Sequence, residues 1–411
     1  MCLCYCSTYG RSPLRPQASG ISPATLRCLF VDHLVDISQF HKKLNDESKD
    51  WKFKNQEVAT NSCQISTFHN YVTKDFQEGP KMKILGQFFV LLVGIVVIKA
   101  ACPPEESDKR CHCIDRESYE AKGTEVTCWS ISDPQVLLHE IQRYRGYPIE
   151  NLILNQMELP FFPAGLFNGT SVKRLYLEAS NLENLYSVRN YKPSPFYGLD
   201  DSLEEVYITS TQDLSKWFWP DVKNLKKLKK FEIVHSPIDF VGHEFAEIGG
   251  GSLESITVAY SGVYRIHPQG FPELTNLRKA NFAGNYLPYL ARTMFPNPAP
   301  RLESLDFRSN KLFTLPENMF ENMPALKFLD LSENEFRSFE KVVFEPIWGQ
   351  LLAFYISNNP FNCDCSIQPL KQKLITGPTP RRNDLRDVKC SNHGDTKKIL
   401  LKNLEENSLQ C

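Results

Sequence analysis

The sequence predicts an α/β solenoid whose short strands stack into one concave parallel sheet, a horseshoe closed at each end by a disulfide-stapled cap. Three observations predict it. A short apolar pattern recurs every 24 or 25 residues through the second half of the chain, and more loosely before it. Eight cysteines stand in two groups of four, one on either side of that array and none within it. The composition, 42% hydrophobic and 23% charged, is that of a globular chain. With 47 basic against 48 acidic side chains, it argues against a nucleic-acid binder, which needs surplus Lys and Arg to neutralise phosphates.

The first element is a targeting segment. The apolar run Ile84–Ile98 follows Met82-Lys83 and precedes Lys99-Ala100-Ala101-Cys102. A basic start, a short apolar core and small residues before a cleavage point are the parts of a secretory signal, whereas a spanning helix needs about 20 apolar residues. The expected organisation is therefore an upstream extension over 1–81 and a signal peptide over 82–101. If Met1 is the true start, the same run becomes an uncleaved type II anchor; its short length counts against that. The extension holds Cys2, Cys4, Cys6, Cys28 and Cys63 in no dependable metal-ligand spacing. Splitting the chain at the signal turns 13 cysteines, an odd number, into eight in the mature part, as an oxidising compartment favours.

A front cap over 102–148 comes next, with Cys102, Cys111, Cys113 and Cys128. Zinc is a poor reading of Cys111-His112-Cys113, because structural sites favour cysteines two to four residues apart. Asp133 is placed to cap a helix that begins at Pro134, and Leu137, Ile141 and Tyr144 share one face of it.

The repeats follow over 149–358. Copies begin at Ile149, Val172, Leu203, Leu228, Leu253, Leu277, Leu302, Leu326 and Leu351, with apolar residues at offsets 0, +3 and +5. Positions +3 and +5 alternate across a strand, so Leu305 and Phe307, or Leu329 and Leu331, point inward while +2, +4 and +6 face outward. The last four copies carry Asn285, Asn310, Asn334 and Asn359 at +8, where a buried amide can bond the backbone leaving the strand. Earlier copies have Met157, Ser180, Thr211, Ser236 and Ser261 there. Phe recurs at +18 (Phe167, Phe271, Phe295, Phe320, Phe344), a spine beneath the convex side, and Trp217, Phe218 and Trp219 read as its substitute in the third copy. The second copy is stretched to 31 residues. Stacking supplies the core that no single copy can bury alone.

These motifs resemble the leucine-rich repeat family. The resemblance implies an α/β horseshoe, and the flanking sequences CPPEESDKRCHC and NPFNCDC, the latter opening a cap over 359–411, are similar to the cysteine-rich flanks of its extracellular members. Spacing alone leaves the cysteine connectivity open. The resemblance implies first-to-third and second-to-fourth pairing, giving Cys102–Cys113, Cys111–Cys128, Cys363–Cys390 and Cys365–Cys411. The layout of caps, helix and degenerate repeats also resembles arthropod secreted proteins of the Oplophorus-luciferin 2-monooxygenase non-catalytic subunit type, which implies an accessory role beside a catalytic partner subunit. No apolar tail follows Cys411, so a secreted product without stable membrane insertion is expected.

Neither a catalytic set nor a cofactor motif is found. His139-Glu140 and His243-Glu244 lack the second His of a zincin, and Gly249-Gly250-Gly251-Ser252 lacks a nucleophile elbow. Function is expected on the concave face, whose +4 column runs Ile153, Tyr176, Tyr207, Glu232, Thr257, Asn281, Asp306, Asp330 and Tyr355. Tyr176, Tyr207, Arg174, Glu205, Lys230, Glu232, Asp306 and Arg308 are the candidate contacts for an extracellular protein ligand, Tyr being a frequent interface anchor. The run Lys223, Lys226, Lys227, Lys229 and Lys230 offers an alternative, a sulfated glycan. Asn168-Gly169-Thr170 is a glycosylation sequon beside Phe167.

Overall fold

A computed structural model of the chain describes residues 29–30, 33–34, 102–103, 109–117, 122–185, 196–217, 219–392, 397–405 and 409. The extension's five cysteines, the apolar run 84–98, Phe218 and Cys411 lie outside the described residues. The chain divides into two units, 1–99 and 100–411. In the first, β1 (Leu29–Phe30) and β2 (His33–Leu34) form a small antiparallel pair.

The second unit is a leucine-rich repeat solenoid. Its front cap is an antiparallel hairpin of β3 (Cys111–Glu117) and β4 (Lys122–Trp129). Helix α1 (Pro134–Gln142) follows; the Asp133 carboxylate accepts from the Gln135 N–H at 2.8 Å and caps its start. Leu137, Ile141 and Tyr144 are buried, and the Tyr144 hydroxyl donates to the Cys111 carbonyl, which ties the helix to the hairpin.

The stack then climbs through β5 (Pro148–Asn155), with β6 (Glu158–Phe161) on its flank, to β7 (Ser171–Glu178), flanked by β8 (Asn181–Asn184), and β9 (Glu205–Thr209). Strands β10 (Lys230–Val234), β12 (Ser255–Ala259) and β14 (Lys279–Asn281) continue it, with β11 (Phe240–Val241) and β13 (Arg265–Ile266) as a second flanking pair. Next come β15 (Ser304–Asp306), β16 (Phe328–Asp330) and, after α2 (Lys341–Trp348), β17 (Ala353–Tyr355). The end cap holds β18 (Phe361–Asn362), α3 (Gln368–Thr376), β19 (Arg382–Asn383), β20 (Lys389–Ser391) and β21 (Ile399–Leu400). Twelve of these strands form one sheet, parallel throughout except for the β3–β4 hairpin.

Three of those twelve strands, β3, β4 and β19, come from the caps. Val126 and Cys128 on β4 pair with Leu152 and Leu154 and are fully buried, so the front cap supplies the first rung of the solenoid. Its Gly123, Val126 and Cys128 carry the repeat's offsets 0, +3 and +5, a signal obscured by the cysteine. At the far end β19 pairs with β17, and the Asp384 carboxylate accepts from Ile356 and Ser357 N–H at 2.9 and 2.8 Å, covering donors the last rung would otherwise expose.

Inside, the +8 asparagines form a ladder. Asn310 donates to the carbonyls of Phe282, Phe307 and Arg308 at 2.8–3.2 Å while its Oδ1 accepts from Leu287 N–H. Asn334 repeats that set one rung on. In the earlier half a serine hydroxyl does less: Ser236 accepts from Thr211 N–H and donates to Val234 O. The +18 phenylalanines are buried, and Trp217 and Trp219 are buried too, Trp219 lying 5.6 Å from Phe231 and from Phe245. Disulfides join Cys102 to Cys113, Cys111 to Cys128 and Cys363 to Cys390. Cys365 is also disulfide-bonded.

Candidate functional site

Strand register aligns the concave +4 column. Ile153, Tyr176, Tyr207, Glu232, Thr257, Asn281, Asp306, Asp330 and Tyr355 are paired in sequence across β5 to β17. Beside them run Asn151, Arg174, Glu205 and Lys230, paired likewise.

Six of the eight candidate residues gather on β7, β9 and β10. The rings of Tyr176 and Tyr207 stack with centroids 4.6 Å apart and planes within 1°. Adjacent strands lie about 4.8 Å apart, so identical rings at paired positions reach stacking distance without distortion. The Lys230 ammonium stands 4.7 Å from the Tyr207 centroid and 3.3 Å from its hydroxyl, and pairs with Glu232 at 3.0 Å. The Tyr207 hydroxyl donates to Glu205. Arg174 binds Asn151 at 2.7 Å and Glu150 at 2.8 Å. Burial, and then the Glu205 carboxylate that it bonds, hold the Tyr207 hydroxyl far above the usual tyrosine range; burial raises Tyr176 as well. The Tyr207 phenol is therefore a donor fixed on Glu205.

Asp306 and Arg308 lie elsewhere, three rungs beyond Glu232. Asp306 is buried, 8% exposed, because its carboxylate turns back to accept from the Arg308 N–H at 3.2 Å and faces the Arg308 side chain at 3.6 Å. Asp330 and Asn281 do the same toward Ser332 and Ala283. In the sixth, seventh and eighth copies this column is therefore committed to its own backbone, which separates Asp306 from the contact surface that the alternation of the strand predicts. Burial pushes the Asp306 and Asp330 carboxyls up.

Asn168 is exposed in a turn whose carbonyl accepts from Arg145, and Thr170 of the same sequon is buried, donating to Phe167 O at 2.7 Å. In the basic run Lys223, Lys229 and Lys230 are paired with Glu247, Glu204 and Glu232. Among the described residues no group of His, Cys, Asp and Glu is placed to hold a metal ion, and no helix is long and apolar enough to cross a membrane. Sequence reading missed a group of exposed aromatics on the flank after the strands: Tyr264, Tyr286, Tyr289 and Phe313.

The fold is that of a leucine-rich repeat solenoid, and its concave face presents a surface of side chains. Residues 300–361 match the family model described as leucine rich repeat. They hold Asn310, Asn334 and Asn359 of the ladder, whereas Asn285 and the Ser and Thr copies before it fall outside the match. Leucine-rich repeat-containing protein 3 of Danio rerio is 29% identical over 103 residues, 24% of this chain and 36% of that one. Trophoblast glycoprotein of Mus musculus is 28% identical over 116 residues, 28% of this chain and 27% of the other. Toll-like receptor 9 of Mus musculus is 32% identical over 121 residues, 29% of this chain and 12% of the receptor. The chain thus spans about a third or less of the length of these curated relatives. Among solved structures, a chain of the octameric complex of latrophilin 3, Unc5D and FLRT2 superposes with a TM-score of 0.46 at 19% identity, covering 66% of this chain and 85% of its own.

Proposed function

We propose that the chain is a secreted, non-catalytic protein that binds an extracellular protein ligand through the first half of its concave face. The stacked Tyr176–Tyr207 pair carries this reading. It is a rigid aromatic plate with two protonated hydroxyls, bordered by Arg174, Glu205, Lys230 and Glu232, and it combines apolar area with fixed polar contacts as protein-binding hot spots do. An accessory subunit of a catalytic partner is the narrower form of the same reading, supported by the layout of the caps. Affinity capture from extracellular fluid with the Cys102–Cys411 product tests it. A specific protein should be retained by the unaltered chain and lost with the double substitution Tyr176→Ala/Tyr207→Ala; undiminished capture by that variant refutes the site.

The matrix or sulfated-glycan reading has less support, since three of the five lysines of its basic run are ion-paired. It predicts salt-sensitive retention on heparin. Elution near physiological ionic strength would agree with the pairing.

A further inference from the structure

A second surface stands on the flank of the solenoid, past the C-terminal ends of the strands, in the copies that begin at Leu253, Leu277 and Leu302. Here Tyr264 is 52% exposed, Tyr286 61% and Phe313 57%, and none of the three rings takes part in an aromatic contact among the described residues. Tyr260 and Tyr289, also exposed, border them. Backbone bonds hold these flanks in step: Tyr264 N–H donates to Asp239 O, Tyr286 N–H to Val263 O and Lys311 N–H to Leu287 O, all within 3.1 Å. Consecutive rungs are about 4.8 Å apart, so these aromatic residues stand on one flank within three neighbouring rungs.

The three flanks themselves carry charges of one sign only. The flanks YSGVYRIH (260–267), GNYLPYLA (284–291) and SNKLFTLP (309–316) contain no Asp or Glu. The copies on either side do, with Asp239 before and Glu333 and Glu335 after. Arg265 is exposed, with its guanidinium 4.6 Å from the Phe240 ring centroid, and has no ion pair among the described residues. Lys311 adds a cation at the far edge, shared with Glu335 at 3.3 Å.

We infer that this flank docks a protein partner through a segment in which carboxylates alternate with apolar side chains. The carboxylates would meet Arg265 and Lys311, and the apolar groups would cover Phe313 and the tyrosine rings. Phe313 has no polar handle and favours an apolar protein side chain over a sugar. The site goes beyond the concave reading, and neither depends on the other.

The test selects a displayed library of random short peptides on the Cys102–Cys411 product. The expected result is enrichment of peptides that combine Asp or Glu with Leu, Ile or aromatic residues. Their affinity should fall at least about tenfold with Tyr264→Ser/Tyr286→Ser/Phe313→Ser, and more weakly with Arg265→Glu. The three rings are exposed, so an unchanged unfolding midpoint should accompany the loss. The peptides should still bind Tyr176→Ala/Tyr207→Ala, which separates this site from the concave one. Equal binding to the triple variant, or no acidic and apolar enrichment, overturns the proposal. So does a dimer in sedimentation velocity that the triple substitution abolishes, which assigns the flank to a second copy, or binding of acidic glycans that it abolishes.

Discussion

At the residue scale the ladder decides stability, and its two halves should respond differently. Asn310→Ala would leave the Leu287 N–H without its partner and the Phe282 carbonyl with Asn285 alone, so a loss of about 1–3 kcal/mol is expected, measured by denaturant midpoint. Ser236→Ala removes one acceptor and one donor and should cost less. The Thr211 hydroxyl is buried without a partner, so Thr211→Val should be neutral or stabilising; a loss as large as that of Ser236→Ala would show that a bond is missing from this account. Asp330 gives a pH signature. Its folded value lies above the ordinary 3.8, so between the two values the folded state holds more protons and stability falls as pH rises through that window. Asn281 makes the same turn bond from the same column, so Asp330→Asn should match or exceed the unaltered protein in melting temperature at pH 7. The advantage should vanish toward pH 3; an equal difference at both pH values would contradict burial as the cause.

At the element scale the feature that sequence reading did not find is a left-handed residue at +7 in all nine copies. Gln156, Ala179, Ser210, His235, Tyr260, Ser309, Glu333 and Asn358 have φ between 45° and 59°, and Gly284 has 68°. Only one is glycine, so composition gives no hint. What holds the first eight there is the next rung: the +7 N–H donates to a carbonyl at +6 of the following copy, as His235 does to Ala259 and Glu333 to Ser357. Gly284 is fixed for a second reason. A Cβ there would lie 2.1 Å from the Tyr260 ring, which itself stacks on His235 at 5.1 Å. Gly284→Ala should therefore cost about 1–3 kcal/mol, and part of that should return in Gly284→Ala/Tyr260→Ala. Strict additivity in that double-mutant cycle would rule out the ring contact as the source. The Tyr176–Tyr207 stack should show a coupling of about 0.5–1.5 kcal/mol in the same kind of cycle.

At the scale of the whole molecule the solenoid is a one-dimensional stack, so damage should stay local. Removing the Cys363–Cys390 bond, which closes a separation of 27 residues, by Cys363→Ser/Cys390→Ser should cost about 3–4 kcal/mol on the chain-entropy account. Hydrogen exchange should quicken in β17 to β20 and leave β5 and β7 protected. Uniform loss of protection along the sheet would mean that the stack unfolds as one unit. The caps matter in this way because each contributes a strand to the sheet. That was not legible in the sequence, where β4 reads as cysteine-rich flank and β19 is only two residues long.

The sequence by itself determined the solenoid, its repeat register and which residues lie in the outward column, because a strand writes its period of two into the chain and stacking repeats it every 24 or 25 residues. Only the tertiary structure decided which of those residues form a surface. The backbone recaptures Asp306 and Asp330 while Tyr176 and Tyr207 stay on the face, since a short carboxylate reaches a neighbouring N–H and a tyrosine ring does not. Alternation assigns a side to each residue, but the partner that its polar atoms find is set by neighbours a whole repeat away.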